Sequence, residues 1–230
     1  MKVDTKDKNP ALESLFSDFE QIIFLDANLL IVPDRSRVGA RRVAFDKYME
    51  YWLIPLFNEF SNLSVHETVY EELIDRQVKQ FVDEMMADSP SRLRIYRDYE
   101  LTTVEKTLLD YQIQKIAPYS GYIPEKDNAK DRGEIRSLAY MAVKNYLYFA
   151  ANDNLAMQLI NKSEELETGL ESIGLIQPYE ILYYLYKTGH YEDKGLKMLY
   201  KYQYYLTSTE KNQNPDWGTF ISEMDNLYLF

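Results

Sequence analysis

Cysteine is absent from the 230-residue chain, and histidine occurs only twice. Neither a disulfide framework nor a thiolate metal site can be built, and a histidine-rich metal site is disfavoured. Long apolar runs are missing as well, with none reaching the ~18 residues of a membrane span. The opening residues, MKVDTKDKNP, lack the apolar centre of a signal peptide, so a cytoplasmic protein without membrane attachment is expected. Basic excess is also lacking: 26 Lys+Arg against 37 Asp+Glu leave a net charge of −11. That balance argues against a general nucleic-acid coat protein, which needs a broad basic face. It still admits an enzyme that gathers acids around metal ions, or one with a local basic patch. What the chain has in quantity is apolar surface, at 46% of residues, and 21 tyrosines, enough for one large core with or without an extension.

The stretch Ile22-Ile23-Phe24-Leu25-Asp26-Ala27-Asn28 organises the reading. Its apolar run suits a strand buried on both faces of a parallel sheet, and such sheets bind ligands outside the carboxyl ends of their strands. Asp26 stands at that end, where a charge needs a cation or a hydrogen-bond partner; turn initiation or helix capping is the plain alternative. Leu147–Ala151 repeats the arrangement, running into Asn152-Asp153-Asn154. Further strands are expected at 63–66 and 173–176.

Helices are expected between these strands. Residues 11–19 suit a short helix after a loose polar tail, and 43–60 a longer one that Pro55 ends or kinks. Ser64-Val65-His66-Glu67 fits a capping box, which gives Glu67 a structural role. The helix it opens places Val69 and Leu73 on the core face, with Glu72 on the flank. Residues 76–117 read as two helices separated by Asp88-Ser89-Pro90-Ser91. A polar loop over 118–130 then delivers Asp131-Arg132-Gly133-Glu134 to a new helix, where acids also suit the macrodipole. Tyrosine-rich helices follow from 177. The end carries Trp217, Phe220, Leu227, Tyr228, Leu229 and Phe230, which can dock on the body or on a partner.

Alternating strands and helices predict an α/β fold, a three-layer α/β/α sandwich with a mostly parallel central sheet. Two strands then end in aspartate, and two helices begin with carboxylates near the same edge. Such acids repel one another unless a hard cation such as Mg²⁺ or Mn²⁺ accepts their oxygens. Two ions ~3.5–4 Å apart would polarise a phosphodiester and activate a water for in-line attack. Four arginines, Arg35, Arg37, Arg41 and Arg42, stand out in so acidic a chain. They form either a phosphate-contacting edge or a solvated face.

FLDANLLI at 24–31, VYEEL at 69–73, DRGEIRSLAYMA at 131–142 and YFAANDNLAMQLI at 148–160 resemble the four ordered acidic motifs of PIN domains. These metal-dependent nucleases include the VapC-like toxins of toxin–antitoxin pairs. The resemblance runs from about residue 20 to 176, and the stretch after it is similar to the C-terminal helices of a PIN subgroup with a DxGE third motif. It implies an N-terminal tail and short helix at 1–19, a PIN-like nuclease domain at 20–176 with a helical insertion at 76–130, and a C-terminal helical extension at 177–230. It further implies metal ligation by Asp26, Glu72, Glu134 and Asp153, with Asn28 orienting ligand or water. Asp131 and Glu134 can each fill the third position; Glu134 has the helix phase of the usual acid, and Asp131 then stands behind it. The implied activity is an Mg²⁺/Mn²⁺-dependent endoribonuclease with RNA as substrate, the four arginines holding its phosphates. A protein antitoxin or other protein partner and a homodimer are implied with it.

The rival reading is a catalytically inactive PIN-like interaction module that binds a protein through its aromatic C-terminal helices. An aspartyl phosphatase would need a second aspartate two residues after the first, and that position is Asn28. Ser/His/Asp catalysis has no support, because His66 falls in a cap and His190 in a linker.

Overall fold

A computed structural model describes residues 2–18 and 20–228 of the chain; Phe19, the last position of the helix expected at 11–19, and Leu229 and Phe230 of the aromatic end lie outside them. The chain divides into two compact units. One comprises Glu20–Ile31 and Phe60–Ile176, the other Met1–Phe19, Val32–Glu59 and Gln177–Phe230.

The first unit holds the sheet. Its strands are β1 (Ile23–Leu25), β2 (Leu63–His66), β3 (Leu93–Tyr96), β4 (Tyr148–Ala150) and β5 (Gly174–Ile176). They are all parallel, in the order β3-β2-β1-β4-β5. Phe24 pairs with Phe149 and Leu25 with Ala150, so the two most apolar runs of this unit form the middle of the sheet. From β1 the chain steps outward to β2 and β3, and from β4 it steps the other way to β5. Parallel crossovers are right-handed, so connections running in opposite directions cover opposite faces. On one face the Arg76–Ala87 helix packs against β3 and buries Val78, Phe81 and Val82. On the other, Leu109, Ile113, Ile135, Leu138 and Leu159 form one cluster with Phe24, Phe149 and Leu175. These come from the helices Thr103–Ile116, Arg132–Lys144 and Asn154–Asn161. The fold is the α/β/α sandwich that the alternation of elements predicts.

Two local expectations fail in this unit. Residues 76–117 are not helical throughout, because Leu93–Tyr96 is the fifth strand. It lies at the sheet edge with Arg94 exposed between buried Leu93 and Ile95; four residues of that composition carry little signal against neighbouring helix periodicity. The capping box at Ser64 is not formed either. Pairing with β1 and β3 holds Ser64 extended, and His66 is the residue that caps the short Glu67–Glu71 helix. The Glu67 carboxylate instead accepts the Asp98 N–H at 2.9 Å.

The second unit is helical. Its Phe45–Tyr48 and Ile54–Glu59 helices are joined by one wide turn, Met49–Leu53. Pro55 has no N–H to give the Tyr51 carbonyl, and the Ile54 N–H bonds back five residues to Met49. The proline therefore deforms the helix rather than ending it. The N-terminal residues are not a loose tail: Val3 is buried, and its N–H donates to Asn214 Oδ1 at 2.8 Å. The aromatic end docks on its own unit, with Phe220 stacked on Tyr200 at 4.6 Å between ring centroids. None of the described helices is long and apolar enough to cross a membrane.

Candidate functional site

β1 and β4 are neighbours whose following connections leave in opposite directions, the arrangement at which open α/β sheets take ligands beyond the carboxyl ends of their strands. Asp26 follows β1 directly, and its N–H donates to the Ala150 carbonyl at 2.9 Å, so the sheet itself holds its backbone. Asp153 stands three residues beyond the end of β4, where it caps the Asn154–Asn161 helix with a 2.7 Å bond from the Leu155 N–H. Asn28 joins the two strand ends: its Oδ1 accepts the Asn152 N–H at 3.2 Å.

Glu134 and Glu72 arrive from more distant stretches and are fixed in the same manner, each on the open amides of another helix. Glu134 Oε1 accepts the Ala156 N–H at 2.7 Å, in the first turn after Asp153. Glu72 Oε1 accepts the Gly133 N–H at 2.9 Å, in the first turn of the Arg132–Lys144 helix. Helix N-termini leave amides unpaired and favour negative charge, so any one of these contacts is ordinary. Their convergence is not. Burial pushes the Asp26 carboxyl up to about 7 against the Asn28 and Ala27 amides, and repulsion from Glu72 and Asp153 adds to it. Burial pushes Glu134 up to about 9, with further repulsion from Asp26 and Asp153. Glu72 is raised by burial as well, opposed by the Gly133 amide and the Arg132 charge.

Asp131 borders the group, acting electrostatically on Glu72 and Glu134. One of its oxygens is taken by the Gly121 N–H at 2.6 Å, and its backbone is left-handed at φ 57°. Of the acids that act on Glu134, Asp26 and Asp153 do so more strongly than Asp131. The donor set is all carboxylate oxygen, the chemistry that suits a hard divalent cation. No three of these acids bring ligand atoms within 4.8 Å of one another.

Among the described residues one trio does so, His66, Glu67 and Asp98, which sequence reasoning did not single out as a metal site. Its groups are already satisfied. His66 Nδ1 lies 2.8 Å from Thr68 Oγ1, and Nε2 lies 2.9 Å from Asp98 Oδ1. Asp98 Oδ2 accepts from Arg136 at 2.7 Å. Burial pushes the Asp98 carboxyl up, but the His66 and Arg136 contacts outweigh it and leave the group below its ordinary value. The trio is part of an ion-paired strut between the end of β2, the turn after β3 and the Arg132–Lys144 helix.

The four arginines of the 35–42 stretch belong to the other compact unit. Arg35 forms an ion pair with Glu210, and Arg42 reaches towards the Val32 carbonyl at 3.5 Å. Arg37 and Arg41 are exposed.

No protein-family model, no curated protein and no solved structure matches the chain. The functional reading therefore stands on the motifs and the geometry alone.

Proposed function

We propose that this chain is a divalent-metal-dependent ribonuclease of the PIN-domain type, hydrolysing RNA phosphodiester bonds. One observation carries the reading: Asp26, Glu72, Glu134 and Asp153, from four separate stretches, come near enough to repel one another beyond the carboxyl ends of β1 and β4. A folded state that crowds acids in this way is disfavoured without a cation, and Mg²⁺ or Mn²⁺ relieves the repulsion. When bound, such an ion supplies Lewis-acid activation of the phosphodiester and of a water. Asp26, Glu72, Glu134 and Asp153 would hold it, Glu72 aimed by its bond to Gly133, with Asn28 keeping Asp153 in register with Asp26. The motif order extends the proposal to an endoribonuclease of toxin type, with a protein antitoxin as partner.

The spread of the carboxylates, no three within 4.8 Å, favours the rival reading of a non-catalytic interaction module. Titration calorimetry of Mn²⁺ into wild type and Asp26→Asn, with RNA cleavage assayed on the same samples, separates the two. The nuclease reading requires that the wild type bind metal and cut RNA, and that the variant do neither. A wild type that binds no metal at millimolar concentration overturns it.

A further inference from the structure

A site lined by carboxylates repels a polyanion, so a nuclease of this design needs a cation held near the acids. Most cations around the Arg132–Lys144 helix are already neutralised. Arg132 is bound by Glu71 at 2.8 Å and Asp127 at 3.0 Å. Arg136 is bound by Asp98 at 2.7 Å, and Lys144 by Glu105 at 2.8 Å. Lys130 differs: it is exposed, and makes no hydrogen bond or ion pair among the described residues.

Its stem is nonetheless held. The side chain lies across Gly121, where a Cβ would stand 2.5 Å from Lys130 Cδ, 2.6 Å from Cε and 2.9 Å from Nζ. The same Gly121 donates its N–H to Asp131, and Asp131 acts on Glu72 and Glu134. The loop beneath is cross-braced, with Asn128 Nδ2 donating to the Gly121 carbonyl at 2.9 Å and Asn128 Oδ1 accepting the Ile123 N–H at 2.6 Å. Lys126 is exposed as well, but no such contact holds it. A lysine whose stem is already ordered loses less entropy when its ammonium takes a ligand.

We propose that Lys130 is a substrate-binding residue that holds a phosphate of the RNA backbone next to Asp131, on the loop that leads into the Arg132–Lys144 helix. The assignment rests on the nuclease reading above. A lysine is a point charge that fixes the backbone without reading bases.

The test uses the full chain as wild type, Lys130→Gln, Lys130→Arg and Gly121→Ala. Binding of a fluorescein-labelled single-stranded RNA is followed by anisotropy in Ca²⁺ over a salt series, cleavage is measured in Mn²⁺, and the Mn²⁺ Kd is measured separately. Lys130→Gln should weaken RNA binding about tenfold and lower the salt slope by about 0.7. It should raise KM by a similar factor, leaving kcat within about twofold and the Mn²⁺ Kd unchanged. Lys130→Arg should restore most of the affinity. Gly121→Ala keeps the charge but displaces the stem, and should show an intermediate loss. If the wild type cuts RNA and Lys130→Gln matches it in affinity and salt slope, the lysine assignment is overturned and the nuclease reading survives. If the wild type neither binds metal nor cuts, both fall together.

Discussion

Glu72 and Gly133 are 61 residues apart in sequence, and the carboxylate of one lies directly on the backbone of the other. Glu72 Oε1 accepts the Gly133 N–H at 2.9 Å, and a Cβ at 133 would stand 2.6 Å from that oxygen. The glycine of the Asp131-Arg132-Gly133-Glu134 run is thus what allows the second acid to reach the site.

Gly133→Ala is therefore expected to separate stability from site geometry. Alanine gains up to about 1 kcal/mol of helix propensity, which offsets part of the lost charged hydrogen bond, about 1.5–3 kcal/mol. The melting temperature should move by a few degrees at most, while Mn²⁺ affinity drops about tenfold as Glu72 is pushed aside. Unchanged affinity would show that Glu72 is not aimed by this contact.

Metal should stabilise the wild type and not its amide variants. At about a hundred times its Kd, Mn²⁺ adds about 2.7 kcal/mol to a protein that binds it only when folded. Scanning calorimetry should show the rise in wild type, and its loss in both Asp26→Asn and Glu134→Gln. An equal rise in all three would place the binding elsewhere.

Asp98→Ala should lower stability by about 2–3 kcal/mol, because Arg136 and His66 each lose a partly buried partner. Mn²⁺ affinity should be unaffected. If metal binding disappears with Asp98, then His66, Glu67 and Asp98 form the metal site and the acid cluster does not.

Glu180, in the helical unit, gives a pH dependence independent of the acid cluster. Burial pushes its carboxyl from 4.5 up to about 7, against hydrogen bonds from the Gln177 amide and the Asn9 side chain. A raised folded-state value contributes stability that is fully present below about 4.5 and is lost as pH rises through 7. The loss amounts to about 3 kcal/mol by pH 8. Glu180→Gln should remove it, so urea melts of the variant gain on wild type between pH 5 and pH 8. A pH-independent difference between the two would contradict the assignment.

Some of this was legible in advance. Asp26 and Asp153 each come after a short apolar run, a place that by itself suits a helix cap as well as a ligand, and both do cap the helix that follows. Glu72 was visible only through the order of the four motifs, since nothing in VYEEL shows the glutamate leaning on an amide of another helix. Strand β3 was missed because an edge strand of four residues with Arg94 exposed has little periodicity to read. The ion pair of Arg35 could not be read in advance, because its partner Glu210 is 175 positions away.

The sequence by itself determined the alternation of strands and helices, hence the layered α/β architecture, because periodicity, capping and turn chemistry act over a few residues. It also excluded thiolate ligation, by omitting cysteine. Only the tertiary structure decided which acids act on one another, with Asp26 and Asp153 the strongest repulsions on Glu134, and which cations are left unpaired. Those outcomes depend on contacts between residues tens to hundreds of positions apart, and they are settled when strands pair and helices dock, where local propensity has no reach.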